Sequence, residues 1–299
     1  MRKALQVAII GTGNIGTDLL IKIMRSPHLE CILFAGRNLS SPGMQKAHSL
    51  GVRISSNGVR AIVENHSSCD LIFDCTSAVA HSEHAQILLK LGKVVVNLTP
   101  AKTGEMCVPA INLNDCLTAR EINMITCGGQ VSAPIAHVIG EVHRGSVEYI
   151  EVVSSISSRS AGPATRLSLD EYIDATQRGV QHFSGAPRTK AILILNPAIP
   201  CINMQTTVFA KVTKPRMEEL VPAIGEMVNR LKAYVPGYEL MVPPVYENGR
   251  IVISARVTGL GDYLPQYAGN LDIINCAALA AAEGYAEAQA APKKEPKYA

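Results

Sequence analysis

Two short stretches hold residue types that could do chemistry together. One is a glycine-rich turn, Gly11-x-Gly13-x-x-Gly16, in "VAIIGTGNIGTDLL", and the other is Cys127 in "NMITCGGQVSAP". A glycine-rich turn between a strand and a helix is typical of binding to the pyrophosphate of a dinucleotide. A cysteine thiolate can attack an aldehyde carbonyl and form a covalent adduct. Together they predict an enzyme that removes hydride from a thiohemiacetal.

The glycine-rich turn has the sequence context that dinucleotide binding requires. An apolar run at 7–10 predicts a strand before it, and 17–25 has helical periodicity after it. The glycines permit a tight turn and a close approach to phosphate, whose charge the helix N-terminus stabilises. We therefore expect Gly11, Gly13 and Gly16 to contact a nicotinamide dinucleotide. The alternative is a glycine-rich turn that holds no ligand.

The sequence around Cys127 predicts a position at a strand end. "INMIT" (122–126) predicts a strand, and open α/β sheets bind ligands beyond the carboxyl ends of their strands. The N-terminus of the following helix would lower the pKa of the thiol. The N–H groups of Gly128 and Gly129 could donate to an oxyanion. The alternative is a structural thiol, which is our interpretation of the other cysteines, Cys31, Cys69, Cys75, Cys107, Cys116, Cys201 and Cys276.

The end of the second predicted strand, 29–36, bears on the choice of cofactor. It is followed by Arg37 and Asn38, whereas NAD-binding domains place an acidic residue there for the ribose 2′-hydroxyl. Arg37, with Ser40 and Ser41, could instead hold a 2′-phosphate, which favours NADP or relaxed selectivity. The alternative is that Arg37 is a solvated charge.

The elements that must position these residues fall into two groups. Strands are predicted at 7–10, 29–36, 70–76, 93–99, 146–158, 189–196, 202–212 and 250–257, and helices at 17–25, 82–92, 133–144, 168–183 and 216–233. The alternation of strand and helix in the first third is typical of an α/β fold with a doubly wound parallel sheet. The longer strands that follow favour an α+β domain with a more antiparallel sheet.

This pattern predicts the domain organisation. We place a dinucleotide-binding domain at 1–130 and a substrate domain at 131–270. An alanine-rich helix at 271–290 is expected to pack back on the first domain and complete it. The tail 291–299 is predicted to be disordered.

Composition argues against several classes of function. The chain has 299 residues, a net charge of +3, no Trp and 4% aromatic residues, which argues against nucleic-acid binding. No apolar run approaches the roughly 18 residues of a membrane span. The cysteines form no CxxC pair and no Cys/His cluster with metal-ligand spacing. We therefore expect no metal, reduced thiols and a cytoplasmic location.

Several other residues, polar and apolar, have weaker claims to a role in the substrate or cofactor site. Asp272 could cap the last helix. Gln130 either orients the substrate or nicotinamide or packs at the start of a helix. Ile135, Ile199 and Met204 either line the substrate pocket or pack in the core. Four histidines are interpreted as surface or packing residues, namely His81, His84, His137 and His143.

Eight stretches, in order and across nearly the whole chain, resemble a known family, the acylating acetaldehyde dehydrogenases. That family comprises NAD-dependent partners of 4-hydroxy-2-oxovalerate aldolase in aromatic meta-cleavage pathways. The stretches are "VAIIGTGNIGTDLLIKI", "FDCTSAVAH", "NLTPAKTG", "NMITCGGQ", "SAGPATR", "KAILILNPA", "AYVPGYEL" and "DYLPQYAGNLDI". The resemblance implies a Rossmann domain plus an α+β dimerisation domain like that of glyceraldehyde-3-phosphate dehydrogenase. It also implies a short-chain aldehyde, NAD and coenzyme A, a homodimer, and an aldolase as a candidate partner.

The same resemblance implies site residues. Cys127 would be the acyl-thioester nucleophile: its thiolate attacks the aldehyde, hydride leaves the thiohemiacetal, and coenzyme A then takes the acyl group. The implied cofactor contacts are Thr12, Gly13, Asn14 and Ile15 of the turn, Ser160, Ala161, Gly162, Pro163, Ala164, Thr165, Arg166, Leu167 and Ser168 of one loop, and Asn270.

The chain departs from the family at four places. Ala164 replaces a glycine and would be strained if the position requires a positive φ. Thr206 replaces an aspartate suspected of supporting proton transfer or coenzyme A chemistry, so another group supplies that role or the step is slower. Arg37 and Asn38 replace the acidic residue of the second strand. The segment at 240–253 is shorter than the usual loop.

Three functions fit these observations. The first is an acylating aldehyde dehydrogenase. The second is another cysteine-dependent semialdehyde or acyl-phosphate reductase, which would use phosphate in place of coenzyme A. The third is a dinucleotide-binding subunit with weakened catalysis, retained for assembly with an aldolase, which the departures at Ala164 and Thr206 allow.

Overall fold

The first sheet has seven strands and is parallel throughout. The computed structural model describes residues 4–290. The strands are β1 (Leu5–Ile10), β2 (Leu29–Ala35), β3 (Ile54–Ser55), β4 (Leu71–Asp74), β5 (Val94–Asn97), β6 (Glu105–Met106) and β7 (Glu121–Asn123). Their order is β3-β2-β1-β4-β5-β7-β6, and every neighbouring pair is parallel. The direction of winding reverses between β1 and β4, so a ligand crevice is expected at their carboxyl ends.

Helices pack on both faces of this sheet. They are α1 (Asn14–Ile23), α2 (Pro42–Ser49), α3 (Val59–Glu64), α4 (Ala78–Lys90) and α5 (Pro109–Cys116). Strand β4 and the three valines of β5 are buried on both faces, which explains their continuous apolar sequences.

The second sheet is mixed. Its elements are α6 (Cys127–Val142), β8 (Val147–Ser157), α7 (Pro163–Leu167), α8 (Leu169–Ser184), β9 (Thr189–Asn196), β10 (Met204–Val212), α9 (Met217–Lys232), β11 (Tyr238–Glu247) and β12 (Arg250–Val257). The strand order is β11-β12-β10-β8-β9, and only β8 and β9 are parallel neighbours. The predicted fold class, a Rossmann-like doubly wound sheet plus an α+β unit, is confirmed.

Helix α6 begins earlier than the sequence predicted. The predicted helix at 133–144 starts at Cys127, because the Thr126 side chain accepts the Gly129 N–H and caps it. The strand predicted at 122–126 ends at Asn123. The predicted domain boundary at residue 130 falls within α6.

The segment at 240–253 contains a β-hairpin. Strands β11 and β12 pair directly and are joined by Asn248 and Gly249, whose φ angles are 51° and 76°. An Asn-Gly pair with two positive φ angles is characteristic of a type I′ turn. The sequence analysis missed β11, and it also missed the short elements α2, α3, α5, α7, β3 and β6.

The last helix, α10 (Gly269–Ala290), contacts the first half of the chain. The Asn275 amide donates to the Ile15 carbonyl at 3.1 Å and to Asp18 at 2.9 Å. The Ser26 hydroxyl donates to Glu283 at 2.6 Å. The tail at 291–299 lies outside the described residues. Within residues 4–290, no helix has the length and apolar character needed to cross a membrane.

Candidate active site

The glycine-rich turn connects β1 to α1 at the carboxyl edge of the first sheet. Gly11 has a φ of 102°, and a Cβ at this position would lie 2.5 Å from the Cys75 carbonyl oxygen. No atom lies within 4 Å of a Cβ added to Gly13, which faces open space at the start of α1. Thr12 is partly buried and Asn14 is exposed, whereas Gly16 is buried within α1. The turn therefore leaves open space in front of a helix N-terminus.

The loop after β2 lies beside this turn. A Cβ on Gly36 would meet the Thr12 side chain at 2.5 Å. Arg37 follows and is exposed. The Ser41 hydroxyl caps α2 by accepting the Met44 N–H, and it lies 3.4 Å from the Thr12 hydroxyl. The residue before Arg37 therefore packs directly against the glycine-rich turn.

One cavity extends from Ile15 at the start of α1 to the thiol of Cys127. Tyr172, on α8, closes it beside the thiol. The lining consists of Ile15, Thr76, Ser77, Leu98, Thr99, Pro100, Ile125, Thr126, Cys127, Thr165, Ser168, Tyr172, Asn270, Leu271 and Ile274. Residues at the ends of β4 and β5 therefore meet residues from α6, α8 and α10.

Only part of the predicted loop 160–168 faces the cavity. Thr165 and Ser168 line it. Arg166 turns back to hydrogen-bond with its own loop, while Leu167 is 85% exposed. Ser160 and Ala161 are buried outside the lining, Gly162 precedes α7, and Pro163 and Ala164 are the first residues of α7.

The strain expected at Ala164 is absent. This residue lies within helix α7 rather than in the left-handed region. Alanine is the residue that adopts helical backbone angles most readily. The replacement of glycine at this position therefore carries no backbone cost.

Cys127 is the first residue of α6, immediately after the Thr126 cap. Its Sγ lies 3.4 Å from the Tyr172 hydroxyl. Burial raises the pKa of the thiol above its ordinary value, and a hydrogen bond from Tyr172 offsets only part of this rise. The expected lowering of the pKa was therefore wrong, because the helix N-terminus is buried under α8.

The two glycine N–H groups proposed as oxyanion donors are already paired. Gly128 N–H donates to the Tyr172 hydroxyl at 3.0 Å, and Gly129 N–H donates to the Thr126 hydroxyl at 2.8 Å. Neither donor is free in this arrangement, which corrects the expectation. The glycines instead allow close packing, since a Cβ on Gly128 would lie 2.4 Å from the Tyr172 oxygen.

Ile125 holds a strained backbone conformation two residues before the cysteine. Its φ is 64°, which a β-branched side chain rarely adopts. Its N–H donates to the Asn123 side chain at 2.7 Å, and its side chain packs against Gly129 and Gly179, where a Cβ would meet it at 2.7 and 2.9 Å. Such strain persists only where surrounding contacts enforce it, so Ile125 fixes the turn that presents Cys127.

Asn270 and Gln130 differ in their access to the cavity. Asn270 lines it, is 2% exposed, and has a buried Oδ1 without a hydrogen-bond partner among the described residues. Gln130 lies outside the lining, and its amide donates to the carbonyls of Cys107 and Met124. Gln130 therefore packs at the helix start, the second of its two expected roles. An unpaired buried acceptor such as that of Asn270 is costly unless a ligand satisfies it.

Thr206, where an aspartate was expected, is fully buried in β10. Its hydroxyl lies 2.9 Å from the Ser154 hydroxyl, and Ser154 in turn lies 3.4 Å from a Cβ added to Gly128. Thr206 is absent from the cavity lining and cannot ionise at physiological pH. Ile135 and Met204 belong to the core, and Ile199 is 79% exposed.

His81 is neither a surface nor a simple packing residue, in contrast to the sequence interpretation. It is fully buried, and its ring nitrogens lie 3.0 Å from Asp74 and 3.0 Å from Glu121. Asp74 also contacts His84 at 2.9 Å and accepts the N–H and hydroxyl of Thr76. This cluster therefore holds the loop after β4 that lines the cavity.

The other two histidines make packing contacts. His137 contacts the Phe183 carbonyl at 3.0 Å. His143 contacts the Ile139 carbonyl and accepts the Arg216 N–H. Both lie away from the cavity lining.

Asp272 does not cap α10, since it lies inside that helix and pairs with Lys22 at 2.7 Å. Asp18 and Asp262 also contact the Lys22 ammonium, at 3.3 and 2.7 Å. The three carboxylates thus surround a side-chain cation. The cluster joins α1 to α10 and to the segment that precedes Asn270.

The sequence analysis missed several cavity residues. Thr76, Ser77, Thr99 and Pro100 follow the carboxyl ends of β4 and β5, and that position was a usable signal. No local pattern pointed to Tyr172, which reaches Cys127 only through the packing of α8 on α6.

Comparisons with known proteins agree with the fold. Residues 6–119 match the family model described as "Semialdehyde dehydrogenase, NAD binding domain". Residues 127–265 match the model described as "Prokaryotic acetaldehyde dehydrogenase, dimerisation". The fold and these matches define an oxidoreductase whose NAD-binding domain is similar to that of the semialdehyde dehydrogenases.

Similarity to individual proteins is high over almost the whole chain. An acetaldehyde dehydrogenase of Pectobacterium atrosepticum is 58% identical, with 95% of this chain and 96% of the relative covered. One from Spirochaeta aurantia is 58% identical, with 96% of each covered. One from Burkholderia thailandensis is 48% identical over 93% of each. The chain belongs to the prokaryotic acetaldehyde dehydrogenase family.

Proposed function

We propose that this protein is a coenzyme A-acylating aldehyde dehydrogenase, which converts acetaldehyde or another short aldehyde to acyl-CoA. The observation that carries this proposal is the single cavity that contains both the Cys127 thiol and Asn270 and extends to the start of α1. Oxidation of a covalent adduct requires a nucleophile and a nicotinamide site in the same cavity.

The described residues fit a nicotinamide dinucleotide. The open space at Gly13 and the N-terminus of α1 suit the pyrophosphate, with Gly11, Thr12, Asn14, Ile15 and Gly16 forming the turn. The unpaired Asn270 Oδ1 suits the carboxamide of the nicotinamide. Thr165 and Ser168 supply hydroxyl groups beside it. When bound, the nicotinamide supplies the hydride acceptor.

Cys127 carries the covalent chemistry in this proposal. Its thiolate adds to the aldehyde carbonyl to give the thiohemiacetal alkoxide, which would lose hydride to the nicotinamide and so become a thioester. The coenzyme A thiol then attacks the thioester carbonyl, which releases acyl-CoA and restores the Cys127 thiol. The apolar part of the lining includes Ile125, Leu271 and Ile274, and such side chains disfavour water beside the thioester.

The proposal also covers how the protein assembles and where in the cell it works. A homodimer is supported by the match of residues 127–265 to a dimerisation domain and by the exposed apolar residues of the second sheet. A further complex with 4-hydroxy-2-oxovalerate aldolase, and a place in aromatic catabolism, rest on the family resemblance.

Eight free thiols support a reducing, cytoplasmic location. We also propose that the chain divides at residue 130 into a dinucleotide-binding domain, which α10 completes, and a substrate domain.

The test is NADH formation from acetaldehyde, measured with and without coenzyme A and with phosphate as an alternative acceptor. We expect activity that depends on coenzyme A and falls at least about a thousandfold in Cys127→Ala. The matched control is Cys201→Ala, at a free cysteine in the loop before β10.

Three outcomes would redirect the proposal. Dependence on phosphate would indicate an acyl-phosphate reductase. Failure of wild-type protein to form NADH, despite binding NAD, would indicate a subunit without catalysis. Full activity of Cys127→Ala would show that the nucleophile lies elsewhere.

A further inference from the structure

We propose that Tyr172 is the residue that stabilises the Cys127 thiolate, by donating its hydroxyl hydrogen to Sγ. This inference rests on the proposed role of Cys127. Tyr172 would thus take the role that a charged neighbour usually has beside a reactive cysteine.

The cavity offers Cys127 no charged partner. Among the described residues that line it, Tyr172 is the only other ionisable group, and the rest are apolar, hydroxyl or amide side chains. Thiols usually ionise near neutral pH because a histidine, a lysine or an arginine lies beside them. Here burial raises the pKa of the thiol, so hydrogen-bond donors must supply the stabilisation.

The hydrogen bonds around Tyr172 leave its hydroxyl hydrogen available for donation to the sulfur. Its oxygen accepts the Gly128 N–H at 3.0 Å, and Cys127 Sγ lies 3.4 Å away. A phenol has a single hydrogen to donate. With the Gly128 N–H directed at the phenol oxygen, that hydrogen is available for the sulfur. Burial and the neighbouring sulfur raise the pKa of Tyr172 well above its ordinary value, so it keeps the hydrogen at working pH.

The position of Tyr172 is fixed by its surroundings. It is 7% exposed and lies in α8, whose Thr176 donates to the Tyr172 carbonyl at 2.7 Å. Thr176 also contacts Thr126, the cap of α6, at 2.7 Å. Because Gly128 lacks a side chain, the phenol approaches the backbone closely. These contacts tie α8 to the first turn of α6 and so hold the donor against the thiol.

The test is the pH dependence of alkylation by iodoacetamide, followed at the Cys127 peptide by mass spectrometry, for wild type and Tyr172→Phe. Loss of a hydrogen bond to a charged sulfur should raise the apparent thiol pKa by about one pH unit, which slows alkylation at neutral pH about tenfold. At high pH the rate should recover to at least the wild-type plateau, since a more basic thiolate is the better nucleophile.

Tyr238→Phe is the matched control. Tyr238 is also a fully buried phenol that contacts α6, but its hydroxyl donates to the Val131 carbonyl at 3.1 Å rather than to the thiol. We expect its alkylation midpoint to equal that of wild type. The same midpoint in Tyr172→Phe, or a lower plateau at an unchanged midpoint, would overturn the proposal, because the phenol would then serve packing alone.

The alkylation readout is independent of turnover. If Cys127→Ala retained dehydrogenase activity, the proposed function would fail while the Tyr172→Phe profile still reported the thiol pKa. In the enzyme assay, Tyr172→Phe should lose about tenfold in kcat/KM at neutral pH and regain it as the pH rises. A pH-independent loss would contradict the donor role.

Discussion

Arg37 is the residue that bears most directly on which nucleotide the enzyme uses. It is exposed beside the glycine-rich turn, where a 2′-phosphate would be bound, and Ser41 caps the helix that follows. A guanidinium pairs well with phosphate, whereas a carboxylate pairs with the ribose hydroxyls. We expect Arg37→Asp to shift the ratio of KM values for NADP⁺ and NAD⁺ at least about tenfold toward NAD⁺.

Steady-state kinetics with both nucleotides measures this shift. Arg60→Asp, at an exposed arginine of α3, is the matched control and should leave the ratio unchanged. A strong preference of the wild type for NAD⁺, with no change in Arg37→Asp, would mean that Arg37 is only a solvated charge.

At the residue scale, the sequence predicted where Cys127 lies but not its chemical surroundings. Its place after a strand and before a helix follows from local patterns. Local patterns do not predict the residues that bury Cys127 and accept the N–H of Gly128. Tyr172 is distant in sequence and reaches the thiol only through helix packing. The expected pKa direction was wrong for this reason.

The packing of helix α4 depends on pH through His81. Burial lowers the pKa of His81, but its hydrogen bonds and charge interactions with Asp74 and Glu121 outweigh this and raise it from 6.5 to about 9. The contribution of His81 to stability is therefore complete below pH 6.5 and is lost as the pH rises through 9. The pKa values of Asp74 and Glu121 are lowered, so their contributions to stability are lost in acid. His84 also contacts Asp74.

We expect the free energy of unfolding of wild type to fall by about 2–3 kcal/mol more than that of His81→Gln between pH 6.5 and pH 9.5. Urea denaturation across this range measures the difference. His48→Gln, at an exposed histidine of α2, should follow the wild-type curve. Parallel curves for wild type and His81→Gln would show that His81 is not charged in the folded protein.

At the element scale, long elements with a clear period were predictable and short ones were not. Strands β9 and β12 matched their predicted bounds, because apolar runs and flanking turns define them. Strands β3 and β6 have two residues each, too few to show a period. Strand β11 was missed although the Asn-Gly pair after it is a strong hairpin signal.

The whole molecule has an exposed apolar surface that suits self-association. Ile192 and Ile194 of edge strand β9 are 39% and 45% exposed, and they alternate with Leu193 and Leu195, which pack on the core. Val153 lies beside Ile192 on the same face of the sheet. Apolar side chains in such a row are typical of a protein interface.

If this surface forms the homodimer, Ile194→Asp should shift the protein toward monomer, because burying a carboxylate without a partner is costly. Sedimentation velocity over a range of concentrations measures the change. Val79→Asp, at an exposed valine of α4 in the first half of the chain, should leave the mass unchanged. An Ile194→Asp protein that remains dimeric would place the interface elsewhere.

The central claim is that Cys127 carries the acyl group between aldehyde and coenzyme A. Its most direct test is to mix the enzyme with acetaldehyde and NAD⁺ in the absence of coenzyme A, quench with acid, and map the peptides by mass spectrometry. We predict that the Cys127 peptide gains the mass of one acetyl group and loses it when coenzyme A is added before the quench. An unmodified Cys127 in enzyme that has formed NADH, or an acetyl group on another cysteine, would contradict the claim.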